Sequence, residues 1–286
     1  MASLKEIKTR IVSVENTKKI TVARQMISSA RLRQSQVILE KARHYQKELG
    51  QITSALINPK KPFVDELTDT HGKGAVAIVI MSSNSGMCGA FNARMIKEIS
   101  SLSTRYPDEP LLFFPVGKKI REALIRSGLD IHGNYDALAG KMSYTLAADL
   151  TDELMALYRS RKIHQAVIIY SHYKSAATQI TTYEQLLPYV LPVNALPEDE
   201  NEPDSPIYEP SQQAILGSIL PQILRSQFYL ALADNQTAEH GARVLAMQLA
   251  SENASDILEG LRLSYNKIRQ QNITAELLDI VGGLFA

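Results

Sequence analysis

The residues of this chain that could do chemistry are few, and their spacing does not assemble a catalyst. Six histidines are scattered along the sequence. None has carboxylate or cysteine neighbours at metal-ligand spacing, so structural or solvated imidazoles are the expectation and no metal site is assigned. The single cysteine, Cys88, excludes an internal disulfide and any multi-cysteine zinc site, and in Gly86-Met87-Cys88-Gly89 it reads as a small packing residue. The run Ser82 to Gly89 sits where a phosphate loop would lie, after an apolar strand-like run and before a helix. It matches neither Gly-x-x-x-x-Gly-Lys-Ser/Thr nor Gly-x-Gly-x-x-Gly, and a tight strand-to-helix turn using glycine's backbone freedom accounts for it. There is no Gly-x-Ser-x-Gly elbow and no His-Glu-x-x-His. No catalytic residue and no cofactor is expected. Two features suit binding instead. Arg269, Gln270, Gln271 and Asn272 break an apolar helical stripe, and an Arg fork beside amides can hydrogen-bond a partner's backbone or carboxylates, although a solvated helix turn would also explain the run. Lys5, Lys8, Arg10, Lys18, Lys19, Arg24, Arg31 and Arg33 form a basic face that is either solvated or fitted to an acidic protein or nucleic acid. No aromatic residue precedes Tyr45, which argues against base stacking along that face.

Long helices must position both features. Ala2 to Ile57 has no Gly before Gly50 and no Pro before Pro59. Leu4, Ile7, Ile11 and Val14, then Ile20, Ala23, Ile27 and Ala30 after a phase slip, give a helical stripe. The segment from Ser211 to Ala286 repeats the pattern with Leu258, Leu261, Tyr265 and Ile268, then Ile273, Leu277, Ile280 and Leu284 after another slip. Each rod needs a partner for its stripe, and the two predict an antiparallel two-helix coiled coil joining the ends of the chain. Pro221 should kink the second rod or mark a restart. Between the rods, Ala75-Val76-Ala77-Ile78-Val79-Ile80-Met81, Leu111 to Val116 and Ala166 to Tyr170 are apolar runs of strand length, as in strands covered on both faces. They alternate with helices over 90–103, 117–127 and 143–160, the last opened by a Ser143 cap. Gln179 to Glu184 reads as an antiparallel edge strand. The predicted fold is α/β with long helices: the coiled coil with an inserted small α/β (Rossmann-like) domain. Its expected divisions are an N-terminal coiled-coil helix at 1–58, a connector at 59–74, the α/β domain at 75–195, an acidic proline-rich linker at 196–210 and a C-terminal coiled-coil helix at 211–286.

Bulk composition narrows the class further. The chain has 286 residues, 45% hydrophobic and 21% charged, which is ordinary for a globular protein. No run of 18 apolar residues offers a membrane span. The N-terminal sequence has no apolar signal core, and Glu6 and Glu15 argue against a transit peptide, so the chain is expected to stay where it is made. The net charge of +1 hides a polarised distribution: residues 1–50 hold eleven Lys or Arg against four Glu, and residues 185–210 hold six Asp or Glu and no Lys or Arg.

These residues carry a resemblance. Ile11-x-Ser13-Val14-x-Asn16-Thr17-x-Lys19-Ile20-Thr21, Met26 and Arg33-x-Ser35-Gln36 near one end resemble the gamma subunits of F-type ATP synthases. So do Tyr265-Asn266-Lys267-x-Arg269-Gln270 and Ile273-Thr274-x-Glu276-Leu277-x-x-Ile280-Val281-Gly282-Gly283 near the other. Gly86-x-Cys88-Gly89, Gln185-Leu186-Leu187-Pro188 and Tyr208-Glu209-Pro210 fit the same family. The resemblance spans essentially the whole chain. It implies a non-catalytic central-stalk rotor in a proton-translocating synthase, with the coiled coil inside a ring of alpha and beta subunits. The α/β domain would then form part of a foot on the epsilon subunit and the membrane c-ring. It further implies that Arg269, Gln270 and Thr274, and the basic residues Lys18, Lys19 and Arg24, meet the alpha/beta ring. Tyr208 and Glu209 would lie near the c-ring. Arg24 stands where many members carry an apolar residue, and the thiol-regulated insertion of the plant and cyanobacterial type is absent. The implied place is peripheral, on the cytoplasmic face of a bacterial inner membrane, with no nucleic acid and no span of its own. The competing readings from the residues alone are a coiled-coil adapter for acidic partners or nucleic acid, and a small nucleotide enzyme built on the α/β domain.

Overall fold

A computed structural model describes residues 4–57, 63, 65–72, 74–107, 109–191 and 208–284, the side chains of 279 and 282–284 excepted. The elements in order are α1 (Leu4–Leu56), β1 (Ala75–Met81), α2 (Phe91–Arg105), β2 (Leu111–Val116), α3 (Lys118–Arg126), α4 (Tyr144–Arg159), β3 (Ile163–Tyr173), β4 (Gln179–Leu187) and α5 (Gln212–Leu284). Most of the expected 196–210 linker and part of the 59–74 connector lie outside the described residues.

The two rods are single helices of 53 and 73 residues, about 80 and 110 Å long at about 1.5 Å per residue. They lie antiparallel and stay in step. Arg43 pairs with Asp234 at 3.4 Å toward the end of α1, and Glu15 pairs with Arg262 at 2.8 Å toward its start. Between those cross-links each helix advances the same 28 residues, from 15 to 43 and from 234 to 262. Four heptads therefore pass with no slip between the partners. Helix α5 runs through Pro221 without a restart; the proline stands level with the end of α1, where the rod loses its partner.

The seam on α1 differs from the apolar stripe. Ile7, Thr21, Ser28, Ser35, Ala42, Leu49 and Leu56 are buried and Val14 is half-buried, on one seven-residue repeat. Ile20 and Ile27, expected in the seam, are each 56% exposed, and Ala23 and Ala30 also face outward. The reason is local satisfaction and size. The hydroxyls of Thr21, Ser28 and Ser35 donate to the carbonyls of Lys18, Arg24 and Leu32 on their own helix at 2.8, 2.8 and 2.9 Å, so their burial leaves no orphan polar atom. Small side chains such as Ala242 and Ala254 are buried on α5. On α5 the expected stripe holds from Leu258 to Ile268, but Ile273, Leu277 and Ile280 are exposed. Continuing the pairing register puts Leu4 level with Ile273, so the helix beyond it has no described α1 residue to lie against.

The four-stranded sheet has the order β2-β1-β3-β4. β1 pairs in parallel with β2 and β3, and β4 is antiparallel to β3. Both faces are covered, as the continuous apolar runs require. Val76, Ile78 and Ile80 of β1 pack with Met95 and Leu102 of α2 and with Ile120 and Leu124 of α3. Ala77, Val79 and Met81 pack on the opposite side with Leu150, Leu154 and Tyr158 of α4 and with Leu220, Leu224, Phe228 and Leu232 of α5. One helix thus serves as half of the rod and as a layer of the α/β domain. Ser143 caps α4 as expected, accepting from Leu146 N–H at 3.4 Å. Leu67, in the presumed polar connector, is buried against the sheet, and its carbonyl accepts from Tyr189 N–H at 2.8 Å.

Candidate functional site

The residues singled out in the sequence fall into two groups near opposite ends of the rod. Lys18 and Lys19 line a shallow groove of about 660 Å³ between α1 and α5, whose walls include Glu15, Arg262 and Asn266. Arg24 is exposed further along α1. Arg269 and Gln270 are exposed on α5, on the tip side of that groove, and the exposed Thr274 donates its hydroxyl to the Gln270 carbonyl at 2.9 Å. That bond occupies the Thr274 proton within the helix and leaves both of the oxygen's lone pairs free to accept. This end therefore offers a cationic surface with side-chain amides, on a helix whose backbone groups are already paired. At the other end, the Tyr208 hydroxyl donates to the Ala55 carbonyl at 3.4 Å, and Glu209 is exposed. From Lys18 to Ala55 is 37 residues of one helix, about 55 Å. The rod keeps the two groups apart and holds them in a fixed relation.

Between them lies a polar belt that sequence reasoning missed. Every residue of α5 from Ala231 to Glu239 is buried, where α1, the helix itself and the carboxyl ends of the strands meet. Asp234 accepts from Tyr173 N–H at 2.8 Å and contacts His172 Nδ1 at 2.6 Å. Asn235 accepts from Ser171 N–H at 3.0 Å, and Gln236 donates to the Leu138 carbonyl at 2.6 Å. Arg243 donates to the Gly86 carbonyl and pairs with Glu239. Burial pushes the Glu239 carboxyl up from its ordinary value, opposed by the Arg243 and Arg31 charges. His240 is held down to about 4, first by burial and then by Arg243 and Arg31, and its Nδ1 has no hydrogen-bond partner. A neutral imidazole is the state this site accepts. The sequence signal for the belt was a run of short polar side chains, Asp234 to Thr237, in mid-helix, where such residues need a structural reason.

The same belt explains the fate of the loop that resembles a phosphate site. In open α/β sheets a ligand crevice forms beyond the carboxyl ends of the strands where the strand order reverses, here between β1 and β3. In this chain α5 fills that place: Cys88 and Phe91 pack with Ala238 and Ala242, and Arg243 holds the Gly86 carbonyl. The turn is tight, with Met87 at φ 63° and Gly89 at φ 57°. Cys88 is buried, and burial pushes its thiol up. Among the described residues no group of three His, Cys, Asp or Glu could hold a metal ion, and no helix is long and apolar enough to cross a membrane.

The fold defines a shaft-and-body protein: two long helices in one register, with an α/β body built onto the shaft. Comparison with known proteins gives that class its family. The chain matches the family described as ATP synthase over residues 3–286. It is 39% identical over 289 residues to the ATP synthase gamma chain of Phocaeicola vulgatus, covering 100% of both chains. To that of Bacteroides fragilis strain ATCC 25285 it is 40% identical over 292 residues, again covering 100% of both. In fold it is similar to a chain of the Euglena gracilis mitochondrial ATP synthase in the OSCP/F1/c-ring structure, with a TM-score of 0.67, 19% identity and 99% and 94% of the two chains covered. A chain from the central stalk and c-ring of the Tetrahymena thermophila enzyme aligns with a TM-score of 0.59 and 20% identity over 81% of this chain and 99% of that one. The chain belongs to the ATP synthase gamma chain family and is a non-catalytic subunit.

Proposed function

We propose that this chain is the central-stalk rotor of a proton-translocating F-type ATP synthase, coupling c-ring rotation to conformational change in the catalytic beta subunits. The observation that carries the reading is the rod: two helices in unbroken register, α1 and α5, with an α/β body on one part and a free helix beyond Ile273 on the other. A shaft that turns past similar partners works by asymmetry. Its off-axis body and one-sided surfaces present a different face to each partner, and rotation changes which partner conformation is favoured. Charged and polar side chains at the sliding surface keep each contact weak and hydrated.

In this reading Arg269, Gln270 and Thr274, with Lys18, Lys19 and Arg24, contact the alpha/beta ring. Tyr208 and Glu209 lie toward the c-ring, and the α/β domain engages the epsilon subunit. The complex sits on the cytoplasmic face of a bacterial inner membrane, with this chain peripheral to it. The adapter reading loses its ground because the likeness to gamma chains runs the full length of the chain.

The test is replacement of Arg269 and Gln270 by alanine in the assembled enzyme. Coupled ATPase turnover should fall about tenfold, the size of one or two lost charge-assisted hydrogen bonds, while the circular dichroism of the chain is unchanged because both side chains are exposed. Unchanged turnover returns the run to a solvated helix face.

A further inference from the structure

We propose that Asp234 is the positioning residue that locks the α/β domain to the rod against sliding, so that torque passes between body and shaft through its carboxylate. The inference rests on the rotor reading above.

β1 pairs with β3 only as far as Ile80 and Ile169, whereas β3 runs on to Tyr173. Past that point α5 stands in for the missing strand. Ser171 N–H donates to Asn235 Oδ1 at 3.0 Å and Tyr173 N–H to Asp234 Oδ1 at 2.8 Å. The other carboxylate oxygen of Asp234 meets His172 Nδ1 at 2.6 Å and, on α1, the Arg43 guanidinium at 3.4 Å. One side chain therefore joins β3 to both helices of the rod. It is 5% exposed, so water does not replace these partners.

The apolar part of the body-to-shaft contact works differently. Leu220, Leu224, Phe228 and Leu232 bury apolar surface on the sheet. Burial of that kind resists separation, but it is non-directional and gives little resistance to a slide that keeps the same area covered. Hydrogen bonds are directional and fail with small displacements. The Arg225–Asp152 pair is directional too, at 2.7 Å, but it is partly exposed and ties α5 to α4 alone. Gln236 and Arg243 reach the loop carbonyls of Leu138 and Gly86. Gln227 of α5 donates to Glu184 at 2.7 Å and to the Gln185 carbonyl at 3.3 Å on the edge strand β4, and Gln36 of α1 donates to the Tyr173 hydroxyl at 3.1 Å. Asp234 and Asn235 grip the backbone of β3 inside the sheet, and of these two Asp234 also reaches α1.

The experiment uses the complete synthase in sealed vesicles, with Asp234→Ala or the isosteric Asp234→Asn in this chain, and ATP hydrolysis and proton pumping measured on the same preparation. Hydrolysis per assembled complex should persist, because the shaft still turns in the head. The ratio of pumping to hydrolysis should fall about tenfold for Asp234→Ala, the population change that one lost charge-assisted hydrogen bond produces in a two-state contact. Asp234→Asn keeps an acceptor for Tyr173 but loses the charge and the second acceptor oxygen that meets His172 and Arg43, and should fall about threefold on the same scale; it carries the test if the alanine variant does not assemble. A ratio equal to wild type in Asp234→Asn, or hydrolysis and pumping that fall together per assembled complex, overturns the proposal. Failure of the wild-type chain to restore hydrolysis to a complex lacking its gamma chain overturns the rotor reading instead.

Discussion

Glu239 and His240 are neighbours on α5 whose buried setting shifts them in opposite directions. Burial raises the Glu239 carboxyl, so its contribution to stability is present below its ordinary value of 4.5 and lost as pH rises through the folded-state value. His240 is lowered from 6.5 to about 4. A base with a depressed folded-state value contributes stability above 6.5, and that contribution is lost as pH falls toward 4. The His240 shift corresponds to about 3 kcal/mol. Denaturant unfolding at pH 7, 5.5 and 4 should therefore show a steep loss of stability in the wild-type chain and a shallower one in His240→Gln, because every other group titrates alike in both. Parallel pH dependences would mean that His240 already accepts a proton in the folded state.

At the scale of elements, the rod shows how a coiled coil can be built with its larger apolar residues outside. The α1 seam between Thr21 and Ser35 is small and polar, while Ile20, Met26 and Ile27 are exposed. Two substitutions separate this arrangement from the stripe read in the sequence. Ser28→Leu inserts bulk into a 3% exposed position and should destabilise the chain by about 1–3 kcal/mol. Ile27→Ser, one residue away, should change stability by no more than about 0.5 kcal/mol. Thermal melts followed by circular dichroism give the order, and the reverse order would restore the apolar stripe as the seam. The outward apolar side chains then fit a surface that needs a partner, since contiguous exposed apolar area marks interaction sites.

For the whole molecule, α5 is the organising part: it closes the rod, forms a layer of the α/β core and fills the crevice at the strand ends. Its last turns do none of these things. Ile273, Leu277, Leu278, Ile280 and Val281 are all exposed, beyond the reach of α1. Removing residues 277–286 should leave the melting midpoint of the purified chain unchanged and reduce ATPase turnover in the assembled complex. A lowered midpoint would mean that the tip folds back onto the chain, whereas an unchanged turnover would mean that it lies outside the working interface.

The sequence by itself determined the two long helices, the strands between them and the antiparallel edge strand. Those properties depend on local causes: no Pro or Gly before Gly50 in the first rod, helix-period apolar positions in the second, apolar runs of strand length, and a cap at Ser143. It also carried the family, through motifs at both ends such as Asn16-Thr17-x-Lys19-Ile20-Thr21 and Ile280-Val281-Gly282-Gly283. The partner contacts assigned to Arg269, Gln270, Thr274, Lys18, Lys19, Arg24, Tyr208 and Glu209 come from that resemblance, and no packing within the chain bears on them. Tertiary structure alone decided which face of α1 is the seam, because Thr21, Ser28 and Ser35 satisfy their hydroxyls on their own helix and so can be buried at little cost. It alone decided that Asp234, Asn235, Gln236, Thr237, Glu239 and Arg243, polar by type, would lie in the interior. Residues far apart in sequence, from Arg43 on one rod to Tyr173 on the sheet, supply the donors and charges that make that burial tolerable.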